Sequence, residues 1–172
     1  MIGTPLGSVR FFEPTEGFVT YMRNFEAPIF DVGAGAGHVT KKLADAGLKV
    51  AAIDMHRHAK PVTDVHMADG TDFPYTPDSV VMLCRPCHGE FAEQVIEQAT
   101  KCGVSVVLYV GLERNVEDDL GDLYPLFKVV ATEVGKEGES IWRMNVAERL
   151  HQRLGVASTA KGTPRKARKA RA

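Results

Sequence analysis

Three glycines alternate with other small residues in the segment from Asp31 to Gly37. The segment follows a short apolar stretch at residues 29–32 and precedes an amphipathic stretch at residues 38–46, so the pattern predicts a strand, a turn and a helix. A glycine-rich turn in this position lets the backbone approach a ligand closely, and the helix presents unpaired amide hydrogens at its N-terminus. The segment therefore predicts a ligand-binding loop in an α/β protein.

The spacing of the glycines argues against two familiar nucleotide-binding loops. A dinucleotide-binding loop needs glycines at its first, third and sixth positions, and counting from Gly33 the sixth position is His38. A nucleoside-triphosphate loop needs a lysine followed by serine or threonine, which this segment lacks.

The rest of the chain alternates apolar segments of strand length with amphipathic segments of helix length. Further strands are predicted at residues 49–53, 62–67, 79–84 and 104–110, and helices at residues 14–25 and 90–101. This alternation predicts a Rossmann-like, doubly wound, mostly parallel sheet. Residues 128–134 and 140–146 predict two more strands, joined by a turn at residues 135–138, that form an antiparallel hairpin at one sheet edge.

Several of these segments together resemble the cofactor-binding motifs of class I S-adenosylmethionine-dependent methyltransferases. Asp31 lies two positions before the first glycine of the loop, as in the first motif of that family. Asp54 ends the second strand, and Asp69 with Gly70 follows the third. The segments stand in the family's order over about residues 27–110, roughly half of the chain.

The resemblance implies that S-adenosylmethionine is the cofactor. In the family pattern the glycines line its methionine and ribose portions, and an acid at position 31 lies near its amino-acid end. Asp54 would accept hydrogen bonds from the ribose hydroxyls, Met55 would contact one adenine face, and Asp69 with Gly70 would contact the adenine edge. The residues assigned to the cofactor are Asp31, Gly33, Gly35, Gly37, Asp54, Met55, Asp69 and Gly70.

A cluster of reactive side chains follows the predicted fourth strand, where the related methyltransferases commonly place catalytic or substrate-positioning residues. The cluster reads Cys84, Arg85, Pro86, Cys87 and His88. Arg85, Cys87 and His88 are the catalytic candidates. Four interpretations are open: covalent haem attachment, a zinc site, a cysteine nucleophile, and a simple lining of the acceptor pocket.

The pocket-lining interpretation is preferred over the other three. Haem attachment normally accompanies export, and residues 1–12 show no secretory signal. A zinc ion would need further ligands from His56, His58 or His66, which have no paired spacing, so no metal site is predicted. The pair Pro86 and Cys87 resembles the nucleophile of cytosine carbon-5 methyltransferases, but the chain shows no target-recognition domain.

Charge divides the chain into two parts. Seven of its 21 Lys and Arg residues and none of its 22 acidic residues lie in residues 151–172, so residues 1–150 carry a net charge of about −8. We predict one cofactor-binding domain over residues 1–150 and a basic, disordered tail over residues 151–172. Such a tail can neutralise phosphates, which makes RNA or DNA the preferred partner and methyl acceptor. A merely solubilising end is the alternative.

Compartment and chemical class follow from a few further observations. Three cysteines and no secretory signal favour a reducing compartment, and we expect a cytoplasmic protein. The longest apolar run, residues 104–112, is far shorter than the roughly 20 residues that a membrane helix needs. The sequence predicts a methyltransferase of unspecified acceptor and oligomeric state. A small-molecule methyltransferase and a non-catalytic module of the same fold are the alternatives.

Overall fold

The structure is a computed structural model that describes residues 11–148 of the chain. It contains a single seven-stranded sheet. The strands are β1 (Ile29–Val32), β2 (Val50–Asp54), β3 (Val65–Met67), β4 (Val80–Cys84), β5 (Val106–Gly111), β6 (Lys128–Ala131) and β7 (Ser140–Asn145). The helices are α1 (Glu16–Met22), α2 (His38–Asp45), α3 (Phe91–Lys101) and α4 (Glu113–Leu120), and a 3₁₀ helix spans Gly121–Leu126.

The strand order is β3-β2-β1-β4-β5-β7-β6. Strands β1 to β5 are parallel, and β7 runs antiparallel between β5 and β6. The predicted doubly wound, mostly parallel sheet with a C-terminal hairpin is confirmed. Because the chain builds outward from β1 in one direction and from β4 in the other, the switch point lies between these two strands, where open α/β sheets bind ligands.

Apolar side chains cover both faces of the sheet. On one face α1 and α2 pack with Phe18 and Leu43 against β1, β4 and β5. On the other face α3 and α4 pack with Ile96 and Leu120 against the same central strands. The central strands are therefore buried on both sides, which explains why their sequences are continuous apolar runs rather than alternating ones.

Several elements differ from the sequence prediction. Strand β3 begins at Val65 and not at residue 62, because the amide of Val62 donates to the carbonyl of Ala36 and so joins the glycine turn instead of β2. Helix α1 is shorter than residues 14–25, since Pro14 forms an isolated bridge to Gly135. Helix α4 and the 3₁₀ helix were not predicted.

The basic tail predicted for residues 151–172 lies outside the described residues. Within residues 11–148, no helix combines the length and the apolar character needed to cross a bilayer.

Candidate functional site

A cavity of about 670 Å³ opens at the switch point, beyond the carboxyl ends of β1, β2 and β4. We call residues 31–37 together with Asp54 the glycine-loop region, and residues 84–90 the β4 loop. Both contribute to the lining, which includes Asp31, Gly33, Gly35, Asp54, Met55, Gly70, Cys84, Arg85, Pro86, Cys87 and Phe91.

The glycine loop directs its backbone amides into the protein. The amides of Gly33 and Ala34 donate to the carbonyl of Ile53 at 2.8 and 3.1 Å, and the amide of Gly35 donates to Oδ2 of Asp54 at 2.8 Å. These three amides are therefore occupied and do not form a cradle for a phosphate group. The buried carboxylate of Asp31, which begins the loop and lines the cavity, opposes a phosphate further. The loop suits a ligand that carries no phosphate.

Gly37 has a structural role at the start of α2. Its φ of +84° lies in the left-handed region, and a Cβ atom placed there would come 2.5 Å from Cγ2 of Thr63. A side chain at this position would be both strained and crowded. Gly37 is not among the residues that line the cavity, unlike Gly33 and Gly35.

The Asp54 carboxylate fixes the loop and still faces the cavity. Its two oxygens each accept one backbone amide at 2.8 Å, from Gly35 and from His56. Each carboxylate oxygen keeps a second lone pair, so a ligand with two neighbouring hydroxyl groups can donate to this side chain. The ring of His58 lies beside it, with Nε2 at 3.9 Å from Oδ2.

The Asp31 carboxylate is almost completely buried at the base of the cavity. Oδ2 accepts a hydrogen bond from the hydroxyl of Thr40 at 2.7 Å. Burial raises the pKa of Asp31 from 3.8 to about 6, opposed by the hydrogen bonds from Thr40 and assisted by the charge of Asp54. A cation in the cavity would stabilise the ionised form of Asp31.

The residues assigned to adenine divide into two groups. Met55 and Gly70 line the cavity, and Met55 is 53% exposed. Asp69 is not part of the lining, because its Oδ1 accepts hydrogen bonds from the amide and the hydroxyl of Thr71 at 2.9 and 2.8 Å. These bonds lower the pKa of Asp69. Asp69 thus shapes the turn that carries Gly70.

Arg85 connects the β4 loop to the hairpin. Its guanidinium lies 3.1 Å from a carboxylate oxygen of Glu137 and 3.5 Å from one of Glu139, which is fully buried. The backbone of Arg85 has a φ of +46°, an uncommon conformation for a residue with a side chain. Neighbouring Cys84 is half-buried and lines the cavity, and burial together with the charges of Asp31 and Glu139 raises the pKa of its thiol. Cys84 is therefore a poor nucleophile.

Cys87 and His88 lie in different surroundings although they are adjacent in sequence. Cys87 is exposed and lines the cavity. His88 is not among the lining residues, and its Nδ1 lies 2.8 Å from Oδ1 of Asp119 on α4. Oδ2 of Asp119 accepts a hydrogen bond from the hydroxyl of Tyr109 at 2.6 Å. The sequence did not indicate Asp119 or Tyr109 as site residues. Asp119 is one of several acidic residues in the polar segment that forms α4, and Tyr109 lies within the apolar run of β5.

Residues 11–148 provide no set of zinc ligands. No group of three or more His, Cys, Asp or Glu side chains there is placed to hold a metal ion. His56 and His58 line the cavity, whereas His66 is an exposed residue of strand β3.

Comparison with solved structures defines the class of fold. The chain is similar to the 23S rRNA methyltransferase ErmE, with a TM-score of 0.54 and 16% identity over 89% of this chain and 80% of that one. A ribosomal protein L11 methylase from Lactobacillus delbrueckii subsp. bulgaricus is similar with a TM-score of 0.55 and 12% identity over 74% of each chain. The chain is also similar to magnesium protoporphyrin IX methyltransferase from Synechocystis PCC 6803 with bound S-adenosylhomocysteine. The TM-score is 0.52 and the identity 14%, over 74% of this chain and 79% of that one.

The fold is that of the class I S-adenosylmethionine-dependent methyltransferases, as the sequence motifs predicted. No protein-family model matches the sequence, and the search of curated proteins also finds no match. At sequence identities of 12–16%, the similarity to these structures shows a shared fold and no more.

Proposed function

We propose that the chain binds S-adenosylmethionine in the cavity and transfers its methyl group to an acceptor. One observation carries this proposal: the amides of Gly33, Ala34 and Gly35 are bonded within the protein, while Asp31 and Asp54 both line the same cavity. A cationic nucleoside without phosphate satisfies this arrangement, whereas a dinucleotide or a nucleoside triphosphate does not.

Bound S-adenosylmethionine supplies an electrophilic methyl group on a sulfonium sulfur. Asp54 orients the nucleoside by accepting hydrogen bonds from the ribose hydroxyls, and Met55 provides an apolar surface for the adenine. Asp31 stabilises positive charge near the amino-acid portion. The β4 loop forms the acceptor side, where holding the acceptor in line with the methyl group supplies most of the acceleration.

Nucleic acid is the preferred acceptor. Residues 151–172 carry seven basic residues and no acid, which suits contacts with phosphates, whereas residues 1–150 are acidic overall. The proteins of the same fold include methyltransferases of rRNA, of a ribosomal protein and of a porphyrin, so the fold itself does not select the acceptor.

Transfer of a labelled methyl group tests the activity. Purified protein is incubated with radiolabelled S-adenosylmethionine and separate fractions of cellular RNA, DNA, protein and metabolites. We expect label in RNA or DNA. Label confined to protein or metabolites would contradict the nucleic-acid acceptor, and the absence of label from every fraction would favour a non-catalytic binding module.

Truncation after Gly155 tests the role of the tail. The shortened chain should bind the cofactor as well as the full chain does, because the cavity lies within residues 11–148. It should bind nucleic acid more weakly and with a smaller dependence on salt. Equal affinity and equal salt dependence in both proteins would show that the tail does not contact phosphates.

A further inference from the structure

The segment that connects β2 to β3 carries an excess of positive charge. Residues 55–63 contain Arg57 and Lys60 and no acid, although the chain outside its C-terminal tail is acidic overall. Both residues are exposed. Within the part of the chain that the structure describes, neither of them forms an ion pair with a carboxylate. We call residues 56–60 the basic loop.

The basic loop lies at the mouth of the cavity. Two of its residues, His56 and His58, line the cavity directly. Beyond the loop, the amide of Val62 donates at 2.9 Å to the carbonyl of Ala36, which also lines the cavity. Because the chain is held at the cavity on both sides of its two cations, those cations stand at the rim.

The cations of the neighbouring segments are paired with carboxylates. On helix α2, Nζ of Lys41 lies 2.7 Å from Asp45, and Nζ of Lys42 lies 3.3 Å from Glu16. On the β4 loop, the guanidinium of Arg85 lies beside two carboxylates of the hairpin. The basic loop differs from both segments, because its positive charges are available to an external anion.

An exposed aromatic ring lies next to the basic loop. Phe11 lines the cavity and is 65% exposed. A Cβ atom placed on Gly35 would lie 4.0 Å from the ring of Phe11 and 3.8 Å from the ring of His58, so the two rings flank one point of the glycine loop. Proteins bind single-stranded nucleic acid with this combination, in which a base stacks on the ring and the phosphates meet the cations.

We propose that the basic loop and Phe11 form a docking surface for a single strand of nucleic acid that carries the methyl acceptor. Arg57 and Lys60 contact backbone phosphates, and Phe11 stacks on an unpaired base. This inference rests on the proposed function, whose acceptor it narrows from nucleic acid in general to a single strand. Phosphates and base faces are common to RNA and DNA, so the experiment compares both.

The distance from the basic loop to the acceptor side suits such a strand. The basic loop follows β2 and the β4 loop follows β4, and β1 lies between these two strands in the sheet. Neighbouring strands are about 4.8 Å apart, so two spacings amount to about 10 Å. A stacked nucleic-acid strand advances about 3.4 Å per nucleotide. Phosphates about three nucleotides from the acceptor therefore reach the basic loop.

The salt dependence of binding tests the two cations. Anisotropy titrations use the full chain and a labelled single-stranded RNA oligonucleotide at several salt concentrations. In the double variant Arg57→Gln with Lys60→Gln, the slope of log K against log salt should become less steep by about 1.4. Each phosphate neutralised on a single strand contributes about 0.7 to this slope.

A second double variant, Lys49→Gln with Lys101→Gln, is the matched control. It changes the net charge equally, but Lys49 and Lys101 are exposed residues that precede β2 and β5, toward the sheet edge opposite the cavity. Its salt slope should equal that of the wild type. An unchanged slope in the Arg57 and Lys60 variant, or equal changes in both double variants, would overturn the proposal.

Variants of Phe11 separate stacking from charge. Phe11→Ala should weaken binding of the single strand by about tenfold and leave the salt slope unchanged, because stacking on a ring releases no counterion. Phe11→Tyr keeps an aromatic ring and should restore the wild-type affinity. A duplex of the same sequence should bind more weakly, since its bases are stacked on one another. Wild-type affinity in Phe11→Ala, or a preference for the duplex, contradicts the proposed surface.

Calorimetry with S-adenosylmethionine separates this proposal from the proposed function. The Arg57 and Lys60 variant should bind the cofactor as the wild type does, because neither side chain lines the cavity. Wild-type protein that binds the cofactor but neither the RNA strand nor a DNA strand of the same sequence overturns the docking surface and leaves the proposed function standing. Protein that binds a strand through these residues but binds no cofactor fails the proposed function and keeps the docking surface.

Discussion

The glycine-loop region and the β4 loop line one cavity, but they are held in place in different ways. In the glycine-loop region the contacts join neighbouring parallel strands: Gly35 donates to Asp54 at the end of the adjacent strand β2. In the β4 loop the contacts are distant in sequence, since Arg85 reaches Glu139 across 54 positions and His88 reaches Asp119 across 31. Contacts between adjacent parallel strands therefore hold the cofactor side, and contacts between elements further apart in the sequence hold the acceptor side.

The largest expected effect comes from Asp31→Asn in the glycine-loop region. Burial raises the pKa of Asp31 from 3.8 to about 6, so the folded chain holds this proton more tightly than the unfolded chain. The free energy of unfolding of the wild type should therefore fall as the pH rises from about 4 to above 6, by roughly 3 kcal/mol from this group. The side-chain oxygen of asparagine can still accept the hydrogen bond from Thr40. Because asparagine does not ionise, the variant should not lose this stability as the pH rises.

Urea unfolding of both proteins without cofactor checks this expectation. Asp31→Asn should be the more stable protein at pH 7, and its advantage over the wild type should shrink toward pH 4. A difference between the two proteins that does not change with pH would contradict the assignment of a buried, destabilised carboxylate at the base of the cavity.

A smaller effect is expected for Asp54→Ala, which removes the carboxylate that holds the loop and faces the cavity. S-adenosylmethionine binding should weaken by about 1–3 kcal/mol, because the ribose hydroxyls and the amides of Gly35 and His56 lose their acceptor. Calorimetric titration measures the change. Asp64→Ala is the matched control, since Asp64 is exposed and does not line the cavity. Equal losses in both variants would contradict the role of Asp54.

The smallest effect is expected for Cys87→Ala in the β4 loop. A pocket-lining cysteine can be removed with unchanged cofactor affinity and with methyl transfer kept within about tenfold, or 1.4 kcal/mol of barrier. Methyl transfer to the acceptor found by labelling is the assay. Complete loss of turnover, together with a covalent complex on DNA containing 5-fluorocytosine detected by mass spectrometry, would instead show a cysteine nucleophile.

The same contrast explains how much the sequence could predict. Strand β1 was predicted with its observed bounds because its apolar run is followed at once by the glycine turn. Helix α4 was missed because Val116 and Leu120 are its only apolar buried side chains, and six of its eight residues are polar or charged. The bond between His88 and Asp119 could not be predicted, since it depends on how α4 packs beside β5.

The assignment of Asp69 shows a related limit. Its position after β3 matches the family's order, but its carboxylate bonds to Thr71 and it is not part of the cavity lining. A motif specifies where a residue lies along the chain, whereas the direction of its side chain depends on local hydrogen bonds. Its assigned contact with adenine remains a prediction.

Titration of the wild-type protein with S-adenosylmethionine, with adenosine diphosphate as the comparison ligand, tests the central claim most directly. Because the amides of Gly33, Ala34 and Gly35 are occupied and two carboxylates line the cavity, calorimetry should give a saturable signal with S-adenosylmethionine, and adenosine diphosphate should not displace it. Absence of heat and of any thermal shift at millimolar S-adenosylmethionine, or displacement by adenosine diphosphate at equal concentration, would contradict the account.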